Sequence, residues 1–114
     1  MRGVMVISMT KHIILWQLRD ELSPAEKLRV KAGIKEGLEG LLGYLPGLTE
    51  IKVYTEGLSS SNADVMLYSV FVDDASLAGY AVHPAHVAVA DGCVRPYTKT
   101  RLCLDFNEEQ THGV

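Results

Sequence analysis

An α+β domain, with one four-stranded antiparallel sheet and helices on a single face, is the fold that the sequence predicts, and three observations predict it. Helical patterns that open on proline alternate with short apolar strands in the order strand, helix, strand, strand, helix pair, strand. The chain has 114 residues, 47% of them hydrophobic, which suits one compact core, and no internal repeat or low-complexity stretch points to a second. At least one strand carries apolar side chains on both faces, so both sides of the sheet need cover.

Residues 1–10 read as an N-terminal extension. Arg2 precedes an apolar run, Val4 to Ile7, that is too short for a secretory leader and is expected to add an interaction strand. The domain spans 11–106. Its first strand, Lys11 to Arg19, alternates His12, Ile14, Trp16 and Leu18 against Ile13, Leu15 and Gln17. Ser23-Pro24-Ala25-Glu26 is a capping box with proline at the first helical position. Leu28, Ala32, Lys35, Leu38 and Leu42 follow at helical spacing, which predicts a helix from Pro24 to Leu42 that Gly43 and Pro46-Gly47 end. Gly33, Gly37 and Gly40 inside it predict a thin, closely packed side.

Leu48 to Glu56 is the second predicted strand, and Gly57 to Asn62 a polar loop. The third strand, Ala63 to Val72, places Val65, Leu67, Ser69 and Phe71 on one face and Met66, Tyr68, Val70 and Val72 on the other. Asp73-Asp74 caps a short helix through Leu77 and Tyr80, and Pro84 starts a second that runs to Val94. The last strand, Thr98 to Phe106, sets Arg101, Cys103 and Asp105 against Leu102, Leu104 and Phe106. Residues 107–114 form a polar tail, expected to be loose. This order is the split βαβ pattern of ferredoxin-like subunits. An apolar second sheet face several hundred Å² in extent is rare on a soluble monomer, so a homodimer packed sheet to sheet, a dimeric α/β-barrel, is expected.

A net charge of −3 with interspersed signs excludes the basic stripe that nucleic acid requires. No run approaches the roughly twenty apolar residues that span a bilayer, so no membrane partner is expected. Cys93 and Cys103 lie ten positions apart without a Cys-x-x-Cys pair, which predicts reduced thiols and a cytoplasmic protein, with Cys103 buried and inert.

Chemistry centres on Tyr80-Ala-Val-His-Pro-Ala-His86, which holds two of the four histidines. Proline pushes the residue before it out of the helical region, so one helix stops near Val82 and another starts at Pro84. His83 is then a joint or N-cap residue. His86 falls in the new first turn, where free N–H groups disfavour an imidazolium and favour the proton-accepting form. A metal shared by His83 and His86 is not expected, because a helix N-terminus repels cations and no third ligand lies in the segment. No cofactor is expected. Tyr80 reads by default as a core residue whose hydroxyl has one partner, and Trp16 either lines a ligand cavity or packs in the core.

Several spaced motifs resemble the stress-responsive dimeric α/β-barrel family: Lys11-His12-Ile13, Pro46-Gly47, Asn62-Ala63-Asp64, Tyr80-x-x-His83-Pro84-x-His86 and Arg101-x-Cys103-x-Asp105. The resemblance runs from about Met9 to Phe106. It implies a barrel-forming dimer that binds a small molecule. Through the family's plant polyketide cyclases it implies His86 as general base, Asp105 as the carboxylate orienting it, and Tyr80 and His12 holding substrate oxygens. Where those cyclases line the pocket with aromatic residues of the first helix, this chain carries Val30, Lys31, Gly33 and Ile34, so Ile34 and Trp16 are the candidate lining residues. Cyclase or lyase-type acid–base chemistry is one expectation. A non-catalytic stress-responsive binding or structural protein, in which a His86–Asp105 hydrogen bond only pins helix to strand, is the other.

Overall fold

The computed structural model describes the backbone of residues 4–113 and the side chains of 7–109. Its elements are β1 (Val4–Leu18), α1 (Pro24–Glu39), β2 (Leu48–Tyr54), β3 (Val65–Phe71), α2 (Asp74–Val82), α3 (Pro84–Val89) and β4 (Thr98–Gly113). The strands form one antiparallel sheet in the order β2-β3-β1-β4, with the helices on one face. This is the ferredoxin-like arrangement that the element order predicts.

Several boundaries differ from expectation. The first strand begins at Val4, and the last continues beyond Phe106, pairing Val4 with Gly113 and Thr10 with Asn107. The polar tail is therefore strand rather than loose coil. Each of the two terminal segments supplies the main-chain partners that the other would otherwise lack. The helix that was to run from Pro84 to Val94 instead ends at Val89 and passes into a π turn, Ala90–Val94, and a 3₁₀ turn, Arg95–Tyr97.

The even-numbered residues of β1 set the core. Ile14, Trp16 and Leu18 are buried toward the helices beside Val65, Leu67 and Phe71 of β3 and Ile51 and Val53 of β2. From α1 the buried residues are Val30, Ile34 and Leu38, followed by Leu41 and Leu45. Leu28, expected in that stripe, is 65% exposed. Ser23 caps α1 by accepting the Glu26 N–H at 3.1 Å, while the Glu26 carboxylate accepts the Ser23 N–H at 3.0 Å. Lys35, expected to face the core, instead works with Glu39 at a sheet edge. Glu39 accepts the Val53 N–H at 2.9 Å and Lys35 donates to the Val53 carbonyl at 2.9 Å, which satisfies the open side of edge strand β2. The thin side of α1 is real at Gly37, where a Cβ would stand 2.8 Å from Val89 of α3. No helix among the described residues is long and apolar enough to cross a membrane.

The opposite sheet face carries Leu102, Leu104 and Phe106, which are 63%, 64% and 38% exposed, with Tyr54 and Val72 also open. In their midst the Lys11 ammonium donates to the Tyr68 hydroxyl at 2.6 Å and pairs with Glu108 at 2.9 Å.

Two glycines of α1 and its turn yield opposite stability predictions. Gly47 has φ +79°, and a Cβ there would lie 2.1 Å from Ser76 Oγ. Gly47→Ala is expected to destabilise by about 1–3 kcal/mol. Gly33 lies within the helix with nothing in reach of a Cβ, so Gly33→Ala should stabilise by about 0.5–1 kcal/mol. Urea denaturation of both variants checks the pair.

Candidate active site

The capped start of α2 aims the site. Asp73 accepts the Ser76 N–H at 2.8 Å as N-cap. Asp74 accepts hydrogen bonds from Thr10 at 2.6 Å and Asn107 at 2.7 Å, which lower its pKa and pin the helix end over β1 and β4. Two turns on, Tyr80 is 3% exposed and meets the fully buried Phe71 edge to face at 5.1 Å.

The break at Pro84 then shapes the histidines. Proline has no N–H and α2 ends there, so carbonyls of its last turn lose their helical donors. His83 takes the N-cap role, its Nδ1 accepting the Ala85 N–H at 3.1 Å. His86 Nδ1 lies 3.3 Å from the Ala81 carbonyl oxygen. A carbonyl can only accept, so Nδ1 carries the proton and Nε2 keeps its lone pair. The His86 ring stacks at a tilt on Tyr80, centroids 4.1 Å apart. Burial lowers the His86 pKa below its ordinary value, and the positive charges of Arg95 and Arg101 act in the same direction against the Ala81 hydrogen bond. The ring is thus neutral near pH 7.

Asp105 does not orient His86. It stands directly across the ladder from His12, and its carboxylate accepts a hydrogen bond from His12 Nδ1. The expectation that Arg101, Cys103 and Asp105 share the helix-side face is met, since they oppose Trp16, Ile14 and His12. What differs is reach. β4 is an edge strand, so Asp105 meets its ladder neighbour on β1 rather than the first turn of α3. The carboxylate–imidazole unit is therefore His12–Asp105, and a main-chain carbonyl holds His86 in its place.

His12, Tyr80 and His86 line one cavity of about 120 Å³ with Ile14, Trp16 and Leu38, and toward β4 its lining is the π turn, Arg95, Thr98 and Arg101. The tilted Tyr80 ring links the two histidines, lying 6.1 Å from the His12 ring. Ile34 is not part of the wall. It is completely buried in the core, and Leu38, one turn later on α1, reaches the cavity instead. Sequence reasoning also missed Arg101 as a wall residue, although its period-two relation to Asp105 placed it on the right face. The π turn had no sequence signal; it brings Ala90 and Val94 to the wall, and such bulges recur at functional sites.

The Tyr80 hydroxyl is buried without a hydrogen-bond partner among the described residues, contrary to the expected single partner. Burial alone raises its pKa far above the ordinary value, so it remains a phenol and a donor. Cys103 is exposed, not buried as expected, because no helix covers β4. Its thiol is nevertheless not activated. Local desolvation and the hydrogen bond that it donates to Asp105 at 3.4 Å raise its pKa.

His12, Cys103 and Asp105 place three metal-type donor atoms within 4.8 Å of one another. Those atoms are engaged with each other through the imidazole and thiol protons, which an ion would have to displace. His83 and His86 use their Nδ1 atoms on the main chain.

A ferredoxin-like α+β domain with a histidine-walled cavity between sheet and helices is the class that this geometry defines. Residues 10–108 match the stress-responsive A/B barrel domain, and the chain belongs to that family, known as Dabb. No curated protein matches it. Among solved structures it is similar to a dimeric protein of unknown function and ferredoxin-like fold from Bacteroides fragilis, at 33% identity and TM-score 0.80 over 86% of this chain and 94% of that one. A dimeric ferredoxin-like protein of unknown function from Thermobifida fusca shares the fold at 21% identity and TM-score 0.70, covering 88% and 91% of the two chains. A hydroxynitrile lyase from Passiflora edulis shares it at 16% identity and TM-score 0.67, covering 88% and 93%.

The unpaired hydroxyl has a measurable consequence. Tyr80→Phe should leave stability unchanged or raise it by about 1 kcal/mol, because a desolvated donor without a partner is removed. A loss of more than about 1 kcal/mol in urea denaturation would show that the hydroxyl is satisfied in the folded protein.

Proposed function

We propose that the protein binds a small carbonyl-bearing organic molecule in the Tyr80 cavity and moves a proton with His86. The observation that carries the reading is the buried Tyr80 hydroxyl: a donor without a partner, on the wall of an otherwise largely apolar cavity, is completed by an oxygen of a ligand. His86 Nε2, neutral and unprotonated, would remove a proton from the carbon beside that carbonyl. The Tyr80 O–H would donate to the oxygen as it gains enolate charge. The carbanion then attacks a second carbonyl of the same molecule, or expels a leaving group as in a lyase. The imidazolium returns its proton to the oxygen or leaving group that becomes negative. His12, held by Asp105, retains an Nε2 acceptor that can fix a hydroxyl of the ligand. The Passiflora edulis enzyme is a lyase on the same fold, which favours such a step without assigning it here.

The test uses acetophenone as probe. Binding is followed by fluorescence of Trp16, the sole tryptophan, and deuterium entry into the methyl group in D₂O by NMR. His86→Gln is expected to lower exchange by about 10²-fold or more while leaving binding within a few fold. Equal exchange by the variant removes His86 from the reaction. Because the His86 pKa lies below 6.5, exchange should be flat above that pH and fall as pH drops beneath it, where the imidazole takes up a proton. A profile that rises toward acid would identify a protonated catalyst instead.

The functional unit proposed is a cytoplasmic homodimer closed through the exposed face of Leu102, Leu104 and Phe106, as the dimeric solved relatives suggest. Sedimentation should give twice the chain mass. Leu104→Asp should yield monomers, because a carboxylate without a partner in an apolar interface costs several kcal/mol. A wild-type monomer at micromolar concentration excludes the barrel.

A further inference from the structure

We infer that the ligand is an anion, a small apolar molecule bearing one carboxylate, and that Arg101 selects it; this rests on the Tyr80 cavity being the binding site. Among the described residues the cavity wall holds two guanidinium groups, Arg95 and Arg101, and no carboxylate side chain. Arg95 is already paired with Asp91 one turn away. Arg101 has no carboxylate within ion-pair distance among the described residues, since the acidic groups nearest in the chain are engaged otherwise: Asp105 by His12, and Glu108 by Lys11. It is exposed at the edge of the sheet, and its neighbour two positions on is the neutral Cys103 thiol.

The cavity's chemistry is therefore one-sided. Its apolar walls are Ile14, Trp16, Leu38, Leu67, Leu77 and Val94, and its donors include the Arg101 guanidinium, the Tyr80 hydroxyl and the Thr98 hydroxyl, of which only the guanidinium is charged. A neutral ligand would use the hydroxyl and leave the guanidinium to water. A carboxylate uses the guanidinium's forked donors, with its apolar body against Trp16. Size bounds the class further. About 120 Å³ is close to the volume that holds one benzene ring, so the buried part is a single ring or a short branched chain. A second acidic group is disfavoured, because among the described residues no other cation without a partner lines the wall.

Benzoate and benzamide, nearly equal in shape and different in charge, test the inference by titration of Trp16 fluorescence. Benzoate is expected to bind about tenfold or more tightly than benzamide at low salt. Arg101→Gln should remove that advantage and leave benzamide unchanged, and 0.5 M NaCl should weaken benzoate alone. Equal affinity for the two probes overturns the charge assignment while the cavity reading stands. A benzoate preference that survives Arg101→Gln overturns the role of Arg101. If neither probe binds, both the inference and the cavity as binding site fall.

Discussion

The alternation of β1 is the constraint on which the rest depends. Thr10, His12, Ile14, Trp16 and Leu18 point to the helices because the strand has a strict period of two and lies between β3 and β4. A slip of one residue would turn all five to the opposite, exposed sheet face and remove His12 from the cavity. Register also decides chemistry. The same ladder that sets Ile14 against Leu67 sets His12 against Asp105 and Trp16 against Arg101, so core packing and the polar side of the site share one structural cause.

The second determinant is the interruption at Pro84. By ending α2 it leaves main-chain carbonyls without helical donors, and His86 Nδ1 turns to one of them. A helix-end defect is thereby converted into control of a tautomer. The neutral state that follows is helped by burial and by the guanidinium groups around the cavity, and not by a carboxylate. Two histidines in one cavity are thus held by different means. His12 has a carboxylate behind it and His86 a main-chain carbonyl, and burial disfavours an imidazolium at His86.

The buried hydroxyl of Tyr80 is where these parts converge. Its ring is fixed between Phe71 and His86, and its oxygen has no partner among the described residues. A donor in that condition costs free energy on folding, a cost that a core of this quality would shed by using phenylalanine. Under the proposed function, pairing with a ligand oxygen would offset that cost.

The element order, the capping box at Ser23, the joint at Pro84 and the two-sided strands were legible in the sequence, because each depends on residues near one another in the chain. Periodicity likewise placed Arg101, Cys103 and Asp105 on one face. Periodicity did not settle which stripe of α1 meets the sheet: Val30, Ile34 and Leu38 do, and Leu28 does not, since helix rotation depends on the partner surface. The partner of Asp105 was likewise decided only by tertiary structure. His12 and His86 are both compatible with its face, and the choice between them turns on the ladder register between residues 93 apart and on the lack of a helix over an edge strand. Sequence alone determined which residues could enter the site; the packing of β4 beside β1 decided which of them touch.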